Sequence, residues 1–224
     1  MPQSDRIIQP DRTIWTPDQP GRRQFVMGAA AAALAPWATP ARAAVELEGV
    51  RLEESITVNG KRMVLNGAGL RRRGYFKADV TALYLPEKRT TAESIMKLDG
   101  FRRIQLNILR EFTSSTISRI FIADFKQAAT EDEFKRLIDV VSLIGAAYSN
   151  VKRVVKGDVV NLDWTPGIGW TASHNGKPLT GDGTFTAINN ELAYQIYLRM
   201  YIGQVAPEEL RNGLLGLTKL PKAD

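Results

Sequence analysis

From Leu70 to Leu85 polar and apolar side chains alternate almost without a break. Phe76, Ala78, Val80, Ala82 and Tyr84 are set against Arg71, Arg73, Tyr75, Lys77, Asp79 and Thr81. A period of two sends successive side chains to opposite faces, so the stretch predicts one long strand with a buried side. Such a strand cannot stand alone, and its neighbours are legible. Ile56-Thr57-Val58 and Met63-Val64-Leu65 flank Asn59-Gly60 as a hairpin, and Phe101 to Glu111 is extended. Val159–Trp164, Gly169–His174 and Lys177–Leu179 complete a sheet. Helical spacing predicts a short helix over Thr91 to Leu98, then Ser115 to Ala129 and Glu131 to Tyr148. Two more are predicted at about Phe185–Ile202 and Pro207–Leu215. Strands, then helices, then a meander and more helices define an α+β chain, a large antiparallel sheet with a layer of helices on one face.

The chain has 224 residues, of which 44% are hydrophobic, enough for one sizeable core. No repeat or linker divides residues 44–224, which are read as one domain. Without cysteine there is no disulfide, thiolate metal site or Cys nucleophile. His174 is the only histidine and sits beside an Asn175-Gly176 turn, so it reads as an exposed hairpin residue. No metal and no cofactor are expected. The net charge of +6 is mild, and no basic run is interleaved with aromatics, which excludes nucleic acid as a partner. Gly67-Ala68-Gly69 opens a strand and does not lead from strand to helix, so it is not a phosphate loop. Trp164 and Trp170 flank a Pro166-Gly167 turn and are expected to pack across adjacent strands.

Residues 1–43 have the order of an export signal. Gly21-Arg22-Arg23-Gln24-Phe25-Val26 resembles the twin-arginine motif, a short alanine-rich run follows, and Ala41-Arg42-Ala43 offers an A-x-A cleavage position. The run is too short to span a bilayer. The expectation is a periplasmic protein beginning at Ala44, with no stable membrane span after cleavage.

Two carboxylates stand out. Ile117, Ile120, Phe121, Phe125 and Ala128 form a helical stripe, and Asp124 falls in its middle. A carboxylate turned into a core is costly unless it is paired or faces a wet cavity. Asp79 lies eight residues after Arg71, an even interval that puts both on one face of an unbroken strand. Arg71, which follows a glycine-spaced turn at Asn66-Gly67-Ala68-Gly69, is therefore expected to be partly buried against Asp79 or Asp124.

The segment Asn66-Gly67-Ala68-Gly69-Leu70-Arg71 … Val80-Thr81-Ala82-Leu83-Tyr84-Leu85 resembles the chalcone isomerase family, in particular its bacterial exported branch. The resemblance spans residues 46–216 and implies that family's open-faced β-sandwich. It also implies a hydrophobic cleft with Arg71 at its polar inner end. The family's isomerases carry a lysine and, nine residues on, a tyrosine that polarise the substrate ketone. Aligned with them this chain has Ile108 and Ile117, and where they have a hydroxyl residue late in the last long helix it has Met200. Loss of those donors implies no chalcone-to-flavanone conversion, because preorganised donors are usually the largest catalytic contribution.

The leading reading is thus a non-catalytic protein binding a small hydrophobic molecule or fatty acid between sheet and helices. The residues assigned to the cleft are Arg71, Asp79, Tyr84, Ile108, Ile117, Asp124 and Met200. One alternative is an intramolecular lyase or isomerase using Asp79 or Asp124 as base on another substrate. The other is an interaction protein whose cleft has closed into plain core.

Overall fold

The computed structural model describes residues 43–149, 151–180 and 187–223. The signal peptide expected over residues 1–43 lies, apart from Ala43, outside them. The described chain begins with a ribbon, β1 (Ala44–Leu47) and β2 (Val50–Glu53), turning on Glu48 and Gly49, both at positive φ. β3 (Ser55–Val58) and β4 (Lys61–Arg73) form the expected hairpin, and Asn59 and Gly60 take the φ values of 50° and 76° that such a turn requires. β5 (Phe76–Leu85) follows across Gly74. Then come α1 (Ala92–Met96), capped by the Thr91 side chain, β6 (Arg102–Ile108) and β7 (Phe112–Thr113). Three helices succeed one another: α2 (Ser114–Ala128), α3 (Glu131–Arg136) and α4 (Ile138–Ser149). β8 (Arg153–Val154) pairs with β7, and β9 (Val159–Thr165), β10 (Gly169–His174) and β11 (Lys177–Pro178) form a meander. α5 (Glu191–Ile202) and α6 (Glu208–Leu214) complete the helix layer.

Seven strands form the main antiparallel sheet in the order β11-β10-β9-β6-β5-β4-β3, and the helices pack on one face of it. This is the α+β architecture that the alternation of elements implies. Three boundaries differ. The stretch from Leu70 to Leu85 is not one strand: the chain reverses at Gly74 (φ +58°), so Arg71 and Asp79 are partners across β4 and β5. The helix expected over Glu131–Tyr148 is two helices broken at Leu137, and the last long helix starts at Glu191. Of its expected N-terminal portion, residues 185–186 lie outside the described residues.

The sequence reading also missed the β1–β2 ribbon, which lies over the second face of β4 and β5. Val45 and Leu52 pack there with Met63, Leu65, Val80, Ala82 and Tyr84, a second core separate from that under the helices. Burial on both faces explains why β5 is closed to solvent from Ala78 to Leu85. Farther along the sheet, β6 and β9 remain half-covered. Their outer face carries a polar ladder in which Arg103 grips Asp163 through both carboxylate oxygens (2.7 and 2.6 Å) and Gln105 donates to Asn161 (3.0 Å).

Gly67 and Gly69 do not make a turn; they lie inside β4 on the helix side. A Cβ on Gly67 would fall on the Gly213 carbonyl oxygen and lie 2.9 Å from Gly216 N and Leu214 O, so α6 rests directly on the strand backbone. Between Leu65 and Gly67 the ladder with β5 skips one residue, a β-bulge at Asn66. Its buried side chain donates to Leu214 O (2.7 Å) and accepts from Arg89 N (2.7 Å), tying the bulge to the end of α6.

Candidate functional site

Next along β4 on the helix side comes Arg71, which clears α6 and reaches the space under α2 and α5. Its Nε donates to Asp79 Oδ2 at 2.7 Å, and its Nη2 lies at the same distance from that oxygen. Asp79 is closed to solvent, with 1% of its side chain exposed, and its other oxygen accepts from Thr81 Oγ1 (2.7 Å). Arg71 Nη1 donates to Tyr201 Oη at 3.2 Å, and the guanidinium carbon sits 5.3 Å from the centre of the Tyr201 ring. Tyr197 Oη donates to the same hydroxyl (3.0 Å). Burial works against the Arg71 charge, but Asp79 and the two tyrosines outweigh it and raise its pKa further. Burial also raises the Tyr197, Tyr201 and Tyr148 phenols, so all three stay neutral donors at physiological pH.

From this inner end a cleft runs outward, walled by Ile108 and Leu106 of β6, Val160 of β9, Ile117, Ile120 and Phe121 of α2, Tyr148 of α4 and Met200 of α5. Arg73 and Asp124 also line it, joined as a second, bidentate ion pair whose Nη1–Oδ1 distance is 3.1 Å. This pair is more open, with 32% and 22% of its side chains exposed. Asp124 therefore pairs with Arg73, not with Arg71, and the carboxylate in the apolar stripe is satisfied at the cleft's outer margin.

Of the residues assigned from sequence, Arg71, Asp79, Ile108, Ile117, Asp124 and Met200 are brought together in this cleft. Tyr84 is not. It shares the parity of Val80 and Ala82, faces the β1–β2 ribbon and donates to Glu53 O at 3.1 Å. Burial and the Glu53 charge push its phenol up to about 12.

The sequence reading missed Tyr197 and Tyr201. Their signal was present, since Tyr194, Tyr197 and Tyr201 follow three and four residues apart, on one helical face. His174, expected to be exposed beside its turn, is not. It is half-buried and lines the cleft, its Nε2 2.8 Å from Asp158 Oδ2. Burial alone would raise the Asp158 pKa, but hydrogen bonds from Asn175, the Val155 amide and His174 lower it on balance. Trp164 and Trp170 are partners across β9 and β10, both buried, and their rings flank Tyr194 at 5.7 Å.

The free space of the cleft is about 70 Å³. A second apolar cavity of about 30 Å³ lies between α4 and β9–β10, lined by Ile144, Leu162, Trp170 and Ile188. Tyr148 and Leu179 line both cavities. Among the described residues no cluster of three or more His, Asp or Glu could hold a metal ion, and no helix is long and apolar enough to cross a membrane.

Fold and site together define a sheet-and-helix protein built round an apolar cleft that ends in a half-buried arginine paired with a buried aspartate. The chain belongs to the chalcone isomerase-like family, whose model matches residues 44–216. Among solved structures it is similar to a fatty-acid-binding protein of Arabidopsis thaliana, with 14% identity and a TM-score of 0.63. The match covers 79% of this chain and 97% of that one. At this identity the likeness is one of fold. No curated protein matches the sequence.

Proposed function

We propose that residues 44–224 form a non-catalytic binding domain for a long-chain, fatty-acyl-type ligand. The polar head of the ligand lies at Arg71 and its chain runs outward between β6 and α2. The observation that carries this reading is the cleft itself: apolar walls from sheet and helices converge on one buried cluster of Arg71, Asp79 and Tyr201. The fold shared with the plant fatty-acid-binding protein supports it.

The free space accommodates a head group and the first carbons of a chain. Tyr148, whose ring packs 5.5 Å from Phe121, lines both cavities and is the side chain whose movement this reading calls on to lengthen the channel. The N-terminal half of α2 is suited to yielding, since Ile117 and Ile120 are only half-buried whereas Phe121 and Phe125 are closed. Asp79 is committed to Arg71 and Thr81, and Asp124 to Arg73, so neither carboxylate is a free base for isomerase chemistry. We also propose, from the Arg22-Arg23 motif, that the domain acts after twin-arginine export to the periplasm.

Native mass spectrometry of residues 44–224, purified without detergent, tests the binding reading. A non-covalent hydrophobic adduct is expected, removed by organic extraction and absent from Ile117→Trp, which fills the cleft. No adduct, and no saturable uptake of any medium- or long-chain acid, alcohol or ester, would overturn it.

A further inference from the structure

The inner end of the cleft is polar but carries no net charge. Arg71 arrives with its own counterion, Asp79, held by Nε and Nη2 and shut from solvent. The other arginine lining the cleft, Arg73, is matched by Asp124. A ligand carboxylate at Arg71 would be a second anion beside a buried one. Like charges brought together in a desolvated site are strongly disfavoured, and a buried aspartate cannot be screened by water or salt as a surface one is.

The hydrogen-bonding capacity left over suits a different head group. A guanidinium has five N–H donors. Two are spent in hydrogen bonds, Nε on Asp79 and Nη1 on Tyr201, while Nη2 lies in ion-pair contact with the same Asp79 oxygen, so both terminal nitrogens keep donors. Tyr201 Oη accepts from both Arg71 and Tyr197, so its own proton is free to donate. These donors suit a neutral oxygen acceptor.

We propose that the ligand's head group is an uncharged oxygen, an ester carbonyl or an alcohol hydroxyl on a long apolar chain, and that Asp79 is the specificity-determining residue that rejects free carboxylates. This rests on the binding function proposed above and specifies its head group.

The test compares three ligands of one chain length, decanoic acid, methyl decanoate and decanol, by calorimetric titration at about pH 8, where the acid is ionised. The wild-type domain should bind the ester or the alcohol at least about tenfold more tightly than the acid. Asp79→Asn, which keeps the side chain's shape and removes its charge, should improve acid binding relative to ester binding by about tenfold or more.

A wild-type measurement stands beside the variant. Lowering the pH to about 5 protonates part of the acid and should tighten its binding relative to the ester measured at the same pH. The ester is the control for the titratable side chains around the cleft, which are Arg71, Arg73, Asp79, Asp124, Tyr148, His174, Tyr197 and Tyr201. Ester binding relative to alcohol identifies which neutral oxygen is preferred. Acid binding as tight as that of both neutral ligands at pH 8, or an acid-to-ester ratio unmoved by both Asp79→Asn and pH, would overturn the proposal while leaving a binding cleft in place. Failure of all three ligands to bind either protein would instead remove the cleft's binding function, and this proposal with it.

Discussion

Two arginine–aspartate pairs have their arginines two residues apart on β4. Arg71 and Asp79 close the inner end of the cleft, with 17% and 1% of their side chains exposed. Arg73 and Asp124 sit farther out, with 32% and 22% exposed. Chemically the pairs are alike; physically they are not. A charge out of water depends on its partner, whereas a charge at a wet margin has solvent as an alternative. The inner pair is therefore part of the fold as well as of the site. The outer one is a contact between β4 and α2 that can open at little cost, and it lies where a ligand chain would leave.

The contrast is sharpest in thermal or denaturant unfolding of single variants. Arg71→Ala strands the Asp79 carboxylate and should cost about 3–5 kcal/mol, part of which Asp79→Asn should restore in a double-mutant cycle. If Arg71→Ala unfolds at the wild-type midpoint, the inner pair is not coupled to stability and the contrast fails. Tyr84→Phe removes one hydrogen bond to Glu53 O and should cost about 1 kcal/mol. Because Tyr84 faces the ribbon, ligand affinity should be unchanged; a loss of binding would mean that the two faces of the sheet communicate. Arg73→Ala should have the smallest effect, within about 1 kcal/mol and shrinking further at high salt. A loss as large as that of Arg71→Ala would erase the distinction between the pairs.

Both pairs contain residues that the sequence had flagged, and the reasons differ. Asp124 was visible because helical periodicity makes one carboxylate among Ile117, Ile120, Phe121 and Phe125 conspicuous, although not which arginine meets it. Sequence alternation puts Arg71 and Asp79 together for an incorrect reason. Period-two alternation runs through the Gly74 reversal, so a hairpin reads as one strand. In an antiparallel register, directly opposed residues also share a face, and the result coincides.

In sequence, Gly67 and Gly69 suggest a turn because glycine commonly marks one. Here they are needed for the close approach of α6, a contact between elements nearly 150 residues apart that no local pattern encodes. The β1–β2 ribbon escaped notice because its turn is Glu48-Gly49, not Asn-Gly. The adjacent Asn59-Gly60 hairpin was plain for the opposite reason. Tyr84 was misassigned because alternation gives two faces without saying which one the helices cover.

The single extra residue at Asn66 determines that assignment for β4. Before it, Met63 and Leu65 look toward the ribbon; after it, Ala68 and Leu70 do, leaving Gly67, Gly69 and Arg71 to the helices. Were the ladder to run through without the skip, every later side chain of β4 would change sides. Leu70 would meet the helix layer, and the guanidinium would be driven among Leu52, Val80 and Tyr84, with Asp79 left on the far side of the sheet. A one-residue deletion at Asn66 is therefore a topological inversion of the cleft's inner end, and the amide that holds the bulge to α6 acts as its register pin.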